Sequence, residues 1–197
     1  GITMPPELGG AGMGVTEAAI MMNRICKGAG GYSAASTIHL NIFGPHAITV
    51  FGNKEQQERM LKPLIAGEDK ACFGVTEPDA GLDTTSIKTF ATKVDGGYRV
   101  TGRKLWTSSG QVANKIVLLA RTTHKEDCKR PTDGMSYFYT DLDHSKIEVR
   151  RIPKMGRNAV DSNATFIDDY FVPDEDLIGE EGKGFSYILH ALNPERI

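Results

Sequence analysis

The sequence predicts an α+β chain with segregated layers: helices first, then an antiparallel β-barrel or sandwich, then a returning helix. Three observations predict it. Apolar residues recur at helical spacing up to Gly67, the period changes to two from Ala71, and helical spacing returns with Phe185, Ile188, Leu189 and Leu192. The expected divisions are 1–69, 70–178 and 179–197.

Taken in order, Thr16 can cap a first helix whose apolar positions are Ala18, Met21, Met22, Ile25 and Cys26, with Gly28 to Gly31 ending it. Ser33 to Phe51 reads as one second helix, in which Ala34, Ala35 and Ser36 permit close packing. Asn53 and Gln56 have capping-box spacing for a third, with Met60, Leu61, Leu64 and Ile65 on one face. Pro63 is expected to kink or split that helix, and Gly67 closes it. Ile87–Val94 and Tyr98–Trp106 flank Asp95-Gly96-Gly97, a hairpin signal. Lys115–Thr122, Met135–Asp141, Lys146–Ile152 and Ala164–Val172 are further strands, and Cys128 to Gly134 is a polar, exposed loop. Pro173 ends the last strand, and Gly179 to Gly184 is a hinge-like connector.

Composition excludes several classes. Hydrophobic residues make up 40%, enough for a core. Lys+Arg is 23 against Asp+Glu at 25, so no basic surface points to nucleic acid or to a membrane. No apolar run approaches the length of a spanning helix. Cys26, Cys72 and Cys128 are odd in number and far apart, which suits unpaired thiols in a reducing compartment. No signal-peptide pattern opens the sequence, Gly1 to Pro6 lacks an initiator methionine, and LNPERI falls inside an apolar helical pattern; a piece of a longer chain is expected.

Most motifs reduce to structure. Gly9-Gly10-Ala11-Gly12 follows no strand and completes no dinucleotide fingerprint, and Gly179 to Gly184 lacks the lysine-serine ending of a phosphate loop. The five histidines form no ligand cluster, so no metal is expected. No Gly-x-Ser-x-Gly elbow is present. Two strand ends stand out instead. FGVTEPDAGLDT, residues 73–84, leaves a strand through an over-long polar turn with several exposed amides. KLWTSSG, residues 104–110, carries the only tryptophan, Trp106, before Thr107, Ser108 and Ser109. Alone, Trp106 reads as a core or rim aromatic. Together the two ends can form a polar shelf beside an aromatic wall, which is what a planar ligand needs. In Asn193-Pro194-Glu195-Arg196, Asn193 reads as a cap, Pro194 as a first helical residue and Glu195 as a complement to the helix dipole.

Several stretches in order, PELGGAGMG, FGNKEQQERMLKPLIAGEDKACFGVTEPDAGLD, GYRVTGRKLWTSSG, KMGRNAVDSNATFIDDYFVP and LIGEEGKGFSYILHALNPERI, resemble the acyl-CoA dehydrogenase family across the whole chain. The resemblance implies part of that family's N-terminal helical domain, its middle β-domain and the start of its C-terminal helical domain. It further implies bound FAD, formation of a trans double bond between Cα and Cβ of an acyl-CoA, and transfer of electrons to an electron-transferring flavoprotein. By resemblance, Phe73, Gly74, Val75 and Thr76 back the flavin ring, with Val75 and Thr76 at its polar edge. Gly81 lies near the pyrophosphate and the CoA arm. Trp106 covers the ring, flanked by Thr107, and Ser108 donates to it. Leu82 stands where the family commonly has serine, so only its backbone can serve cofactor or substrate. Glu195 matches the catalytic base of the isovaleryl- and long-chain-like branches, and Asn193 and Arg196 match substrate positions, Arg196 near the CoA phosphates. A homotetramer or dimer is implied, cytoplasmic in a bacterium or in the mitochondrial matrix of a eukaryote. An acyl-CoA oxidase or flavin monooxygenase of the same fold, and a non-catalytic module, are the alternatives.

Overall fold

The computed structural model describes residues 1–195, the side chains of residues 193–195 excepted. Helix α1 (Val15–Cys26) starts from an extended Gly14, whose N–H donates to Glu17 Oε2 at 2.9 Å, so Glu17 closes this end and Thr16 lies inside the helix. The single helix expected over 33–51 is two, α2 (Gly31–Phe43) and α3 (His46–Phe51). Pro45 has no N–H to continue the ladder, and its ring crowds the preceding turn. The break has a use: the Gly44 carbonyl accepts a hydrogen bond from the buried Tyr137 hydroxyl. The capping box opens α4 (Lys54–Gln56), with Gln56 N–H to Asn53 Oδ1 at 2.9 Å and Asn53 N–H to Gln56 Oε1 at 3.0 Å. A π turn over Gln57–Leu61 leads into α5 (Lys62–Ala66), and Pro63 lies in its first turn. A proline is tolerated at a first helical turn, where its missing N–H matters least, and the wider turn upstream accommodates the change of register.

Seven strands follow: β1 (Ala71–Gly74), β2 (Phe90–Val94), β3 (Gly97–Ser108), β4 (Lys115–Arg121), β5 (Met135–Asp141), β6 (Glu148–Arg151) and β7 (Ser162–Pro173). They form one sheet in the order β1-β4-β2-β3-β7-β6, with β5 on β4. Most pairs are antiparallel, as expected. The β1–β4 pair is parallel, from Ala71↔Lys115 to Gly74↔Leu118, because a long excursion through β2 and β3 separates the two strands, the kind of crossover a parallel pair requires. Strand β2 begins three residues later than the sequence suggests, since Asp83 caps a 3₁₀ turn over Thr84–Ser86.

The run KIVLLAR in β4 shows where the cores lie. Its residues are buried on both faces, and the strand period sorts them. Val117 and Leu119 join Ile48, Leu61, Tyr137 and Ile188 between the sheet and the helices. Ile116, Leu118 and Ala120 join Tyr98, Val100, Phe138 and Val172 within the curled sheet. Helix α6 (Gly184–Glu195) returns onto the first core, its backbone continuing through Asn193 and Pro194 instead of starting there. Gln56 ties the layers together, donating to the carbonyls of Glu175 at 3.0 Å and Leu177 at 2.7 Å.

Candidate functional site

The two strand ends singled out in the sequence meet. Strand β1 runs so close to its neighbours that a Cβ on Gly74 would lie 2.9 Å from Ile116 Cδ1 and 3.4 Å from Lys104 Cγ. Beyond Gly74 the chain leaves the sheet, and the Thr76 carbonyl accepts the Leu105 N–H at 2.8 Å. That bond joins 73–76 to the last part of β3.

Strand β3 explains why Trp106 faces outward. Tyr98, Val100 and Lys104, at even positions, are buried. An unbroken alternation would put Trp106 inside as well. Between the pairs Lys104↔Thr165 and Thr107↔Asn163, however, β3 spends one residue more than β7. This β-bulge reverses the faces. Trp106 adopts φ 62° and is 56% exposed, while Thr107 turns inward and is fully buried.

The expected site residues therefore divide. Phe73 is half-buried and meets Phe43 edge-on, ring centroids 5.2 Å apart. Val75 is buried. The hydroxyls of Thr76 and Ser108 and the Thr76 N–H have no hydrogen-bond partner among the described residues. Thr107 does not present its side chain here: its hydroxyl accepts from Thr165 at 3.2 Å, and its carbonyl accepts from Asn163 at 2.8 Å. Gly81 and Leu82 lie beyond a tight turn closed by Glu77 N–H to the Ala80 carbonyl at 3.1 Å and Ala80 N–H to the Glu77 carbonyl at 3.2 Å. Their own N–H groups are unbonded among the described residues, and the Leu82 side chain is fully exposed. A Cβ on Gly81 would meet nothing, so no steric need for glycine exists there. Arg196 and the side chains of Asn193 and Glu195 lie outside the described residues.

An exposed indole beside unpartnered hydroxyls and amides fits a planar heteroaromatic ring with a polar edge, the isoalloxazine of FAD included. Lys104 and Glu77, which the sequence reading passed over, adjoin this shelf, the Lys104 ammonium donating to the Val75 carbonyl. The Lys104 ammonium lies 2.8 Å from Glu77 Oε1, with neither side chain appreciably exposed. Burial pushes the Lys104 ammonium down to about 8, against the pull of Glu77. Burial pushes the Glu77 carboxyl up, but the Lys104 charge and the bonds from Lys104, Thr89 and Lys88 outweigh it and hold the group below the usual glutamate range. A signal for the pair was present, since β3 periodicity places Lys104 on the buried face, and a buried lysine needs an acid.

A cleft of about 420 Å³ opens between α1 and α2, lined by Ala18, Met22, Ala35, Ser36, His39 and Ile42. The His39 ring lies 4.9 Å from that of Phe43, so a row of rings connects this cleft to Phe73. Among the described residues no His, Cys, Asp and Glu cluster could hold a metal, and no helix is long and apolar enough to cross a membrane.

Two family models match the chain: the acyl-CoA dehydrogenase N-terminal domain over residues 1–68 and the acyl-CoA dehydrogenase middle domain over residues 72–170. The chain belongs to the acyl-CoA dehydrogenase family. Its similarity to the mitochondrial isovaleryl-CoA dehydrogenase of Arabidopsis thaliana is 32% identity over 202 residues, covering 100% of this chain and 47% of that protein. It is also 32% identical, over 200 residues, to the acryloyl-CoA reductase (NADH) of Anaerotignum propionicum, covering 100% of this chain and 49% of the relative. The solved structure of butyryl-CoA dehydrogenase from Megasphaera elsdenii superposes with a TM-score of 0.88 at 28% identity, covering 100% of this chain and 51% of that one. This acyl-CoA dehydrogenase family chain thus spans about half the length of the curated relatives it matches.

Proposed function

We propose that this chain carries the flavin platform of an FAD-dependent acyl-CoA dehydrogenase that forms a trans-2-enoyl-CoA and passes electrons to an electron-transferring flavoprotein. The observation that carries the reading is the Leu105 N–H to Thr76 carbonyl bond, which gathers Phe73–Thr76 and Trp106–Ser108 into one shelf. When bound, FAD supplies the hydride acceptor. Thr76, through its N–H and hydroxyl, and Ser108, through its hydroxyl, donate to the polar edge of the ring. Trp106 covers the ring and keeps water from it, and Phe73 and Val75 support it from behind. The unbonded N–H groups of Gly81 and Leu82 are suited to pyrophosphate or the CoA arm. Asn193 and Arg196 contact the CoA substrate, and Glu195 removes the α-proton. A carboxylate is a weak base for a proton beside a thioester, so water must be excluded and charge on the thioester oxygen met by hydrogen bonds.

The test is a panel of straight and branched acyl-CoA substrates with an artificial electron acceptor, run beside Glu195→Gln. General-base catalysis contributes roughly 10²–10⁴-fold, and turnover of the variant should fall by about that factor with FAD retained. Near-normal turnover would remove Glu195 from the role. Absence of flavin absorbance after loading with FAD would remove the whole reading.

A further inference from the structure

Lys104 is fully enclosed. Its ammonium donates to the Leu119 carbonyl at 2.7 Å, to Glu77 Oε1 at 2.8 Å and to the Val75 carbonyl at 3.3 Å. Glu77 also accepts the N–H of Lys88 at 2.6 Å and of Thr89 at 3.0 Å. These bonds gather the exit of β1, the strands β3 and β4, and the approach to β2 at one point. Stability alone is a poor reason for such a pair, because apolar side chains of similar volume often serve as well or better. Its placement is specific. Val75 precedes Thr76 and Lys104 precedes Leu105, the two residues whose backbone bond joins the halves of the shelf. The ammonium touches Val75, and the carboxylate is held by the amides of residues 88 and 89, Thr89 on the same oxygen that meets Lys104.

We propose that Lys104 and Glu77 are a positioning pair for the flavin platform, holding Val75–Thr76 in register with the Leu105–Trp106 bulge. The inference rests on the FAD reading given above. Neither residue takes part in the proton or hydride transfer.

The test compares the unaltered protein with Glu77→Gln and with the double variant Glu77→Gln/Lys104→Met. FAD-loaded protein is titrated spectroelectrochemically, and the apo protein is followed by acrylamide quenching of Trp106, the only tryptophan. Glu77→Gln removes the acid that keeps the buried Lys104 charged and loosens the exit of β1, and should shift the preference between reduced and oxidised flavin roughly tenfold, about 30 mV for a two-electron couple. The double variant also removes the ammonium's ties to Val75 and Leu119 and should shift the potential at least as far. In the apo state, quenching of Trp106 should differ between the double variant and the unaltered protein. A pair that only stabilises the fold would lower the unfolding midpoint but leave the potentials and Trp106 quenching unchanged, and that result overturns the inference. If Glu77→Gln fails to fold, the double variant decides alone, and a potential equal to that of the unaltered protein overturns it. If the unaltered protein takes up no FAD, the functional reading itself fails; unchanged Trp106 quenching in the double variant would then separately dismiss the positioning role.

Discussion

Trp106 holds a left-handed backbone conformation, φ 62°, that side chains other than glycine adopt at a cost of about 1–2 kcal/mol. That cost is the local consequence of the bulge that turns the indole outward. In an ordinary strand glycine is less stable than alanine. At position 106 the order should reverse: Trp106→Gly should be more stable than Trp106→Ala by about 1 kcal/mol in urea denaturation, while both variants bind FAD more weakly. An alanine variant as stable as the glycine one would show that the bulge relaxes once the indole is gone. The adjoining pair gives a pH prediction. Glu77 titrates below its ordinary value, so its carboxylate stabilises the fold above the ordinary glutamate pKa, and that contribution is lost as pH falls through the folded value. Lys104 has the opposite arrangement for a base. Between about 8 and the ordinary lysine value the unfolded chain retains a proton that the folded chain has released, so this group makes stability rise with pH. Denaturation midpoints followed across both windows check the two signs, and the acid limb should flatten in Glu77→Gln.

Among elements, helix α6 depends on one close approach. A Cβ on Gly184 would lie 2.6 Å from the Ser136 carbonyl carbon and 2.7 Å from the Tyr137 N, both backbone atoms that no rotamer change can move aside. Gly184→Ala should therefore cost about 1–3 kcal/mol by overpacking and lift the start of α6 from β5. Hydrogen exchange should accelerate in α6 and leave β7 protected; equal protection of α6 in both proteins would show that the contact yields easily. The same scale shows what could be read from the sequence. The Asn53–Gln56 cap, the Asp95-Gly96-Gly97 hairpin and most strands were legible, because their signals are local. The α2–α3 break was not read, although Pro45 announced it, because the small-residue pattern around Ala34 and Ala35 suggested one continuous packed helix. The bulge at Leu105–Trp106 has no local signal, since it is defined by the register against β7.

At the scale of the whole molecule, β4 is the wall shared by two cores, and its alternation decides which side each residue supports. The sequence showed an apolar run there but could not say that helices cover one face and a curled sheet the other, because that depends on the return of α6 and on the parallel seat of β1. The candidate site inherits the same limit: Phe73 and Trp106 were singled out by their motifs, whereas the inward turn of Thr107 and the enclosure of Lys104 emerged only with the folded sheet. The division makes a prediction about neighbouring residues. Leu118 and Leu119 are both buried, yet Leu118 faces Tyr98, Phe138 and Val172 and Leu119 faces Ile48, Leu61 and Tyr137. Alanine at either position should cost about 2–5 kcal/mol, so global stability will not tell them apart. Local opening should. Leu119→Ala should speed hydrogen exchange in α3, α5 and α6 and shift the Phe73 side of the platform, while Leu118→Ala should speed it in β2, β3 and β7 and disturb the Trp106 side. A single exchange pattern shared by both variants would mean that the two cores open as one cooperative unit, and that the shelf is held by the whole fold instead of by one strand seated between two layers.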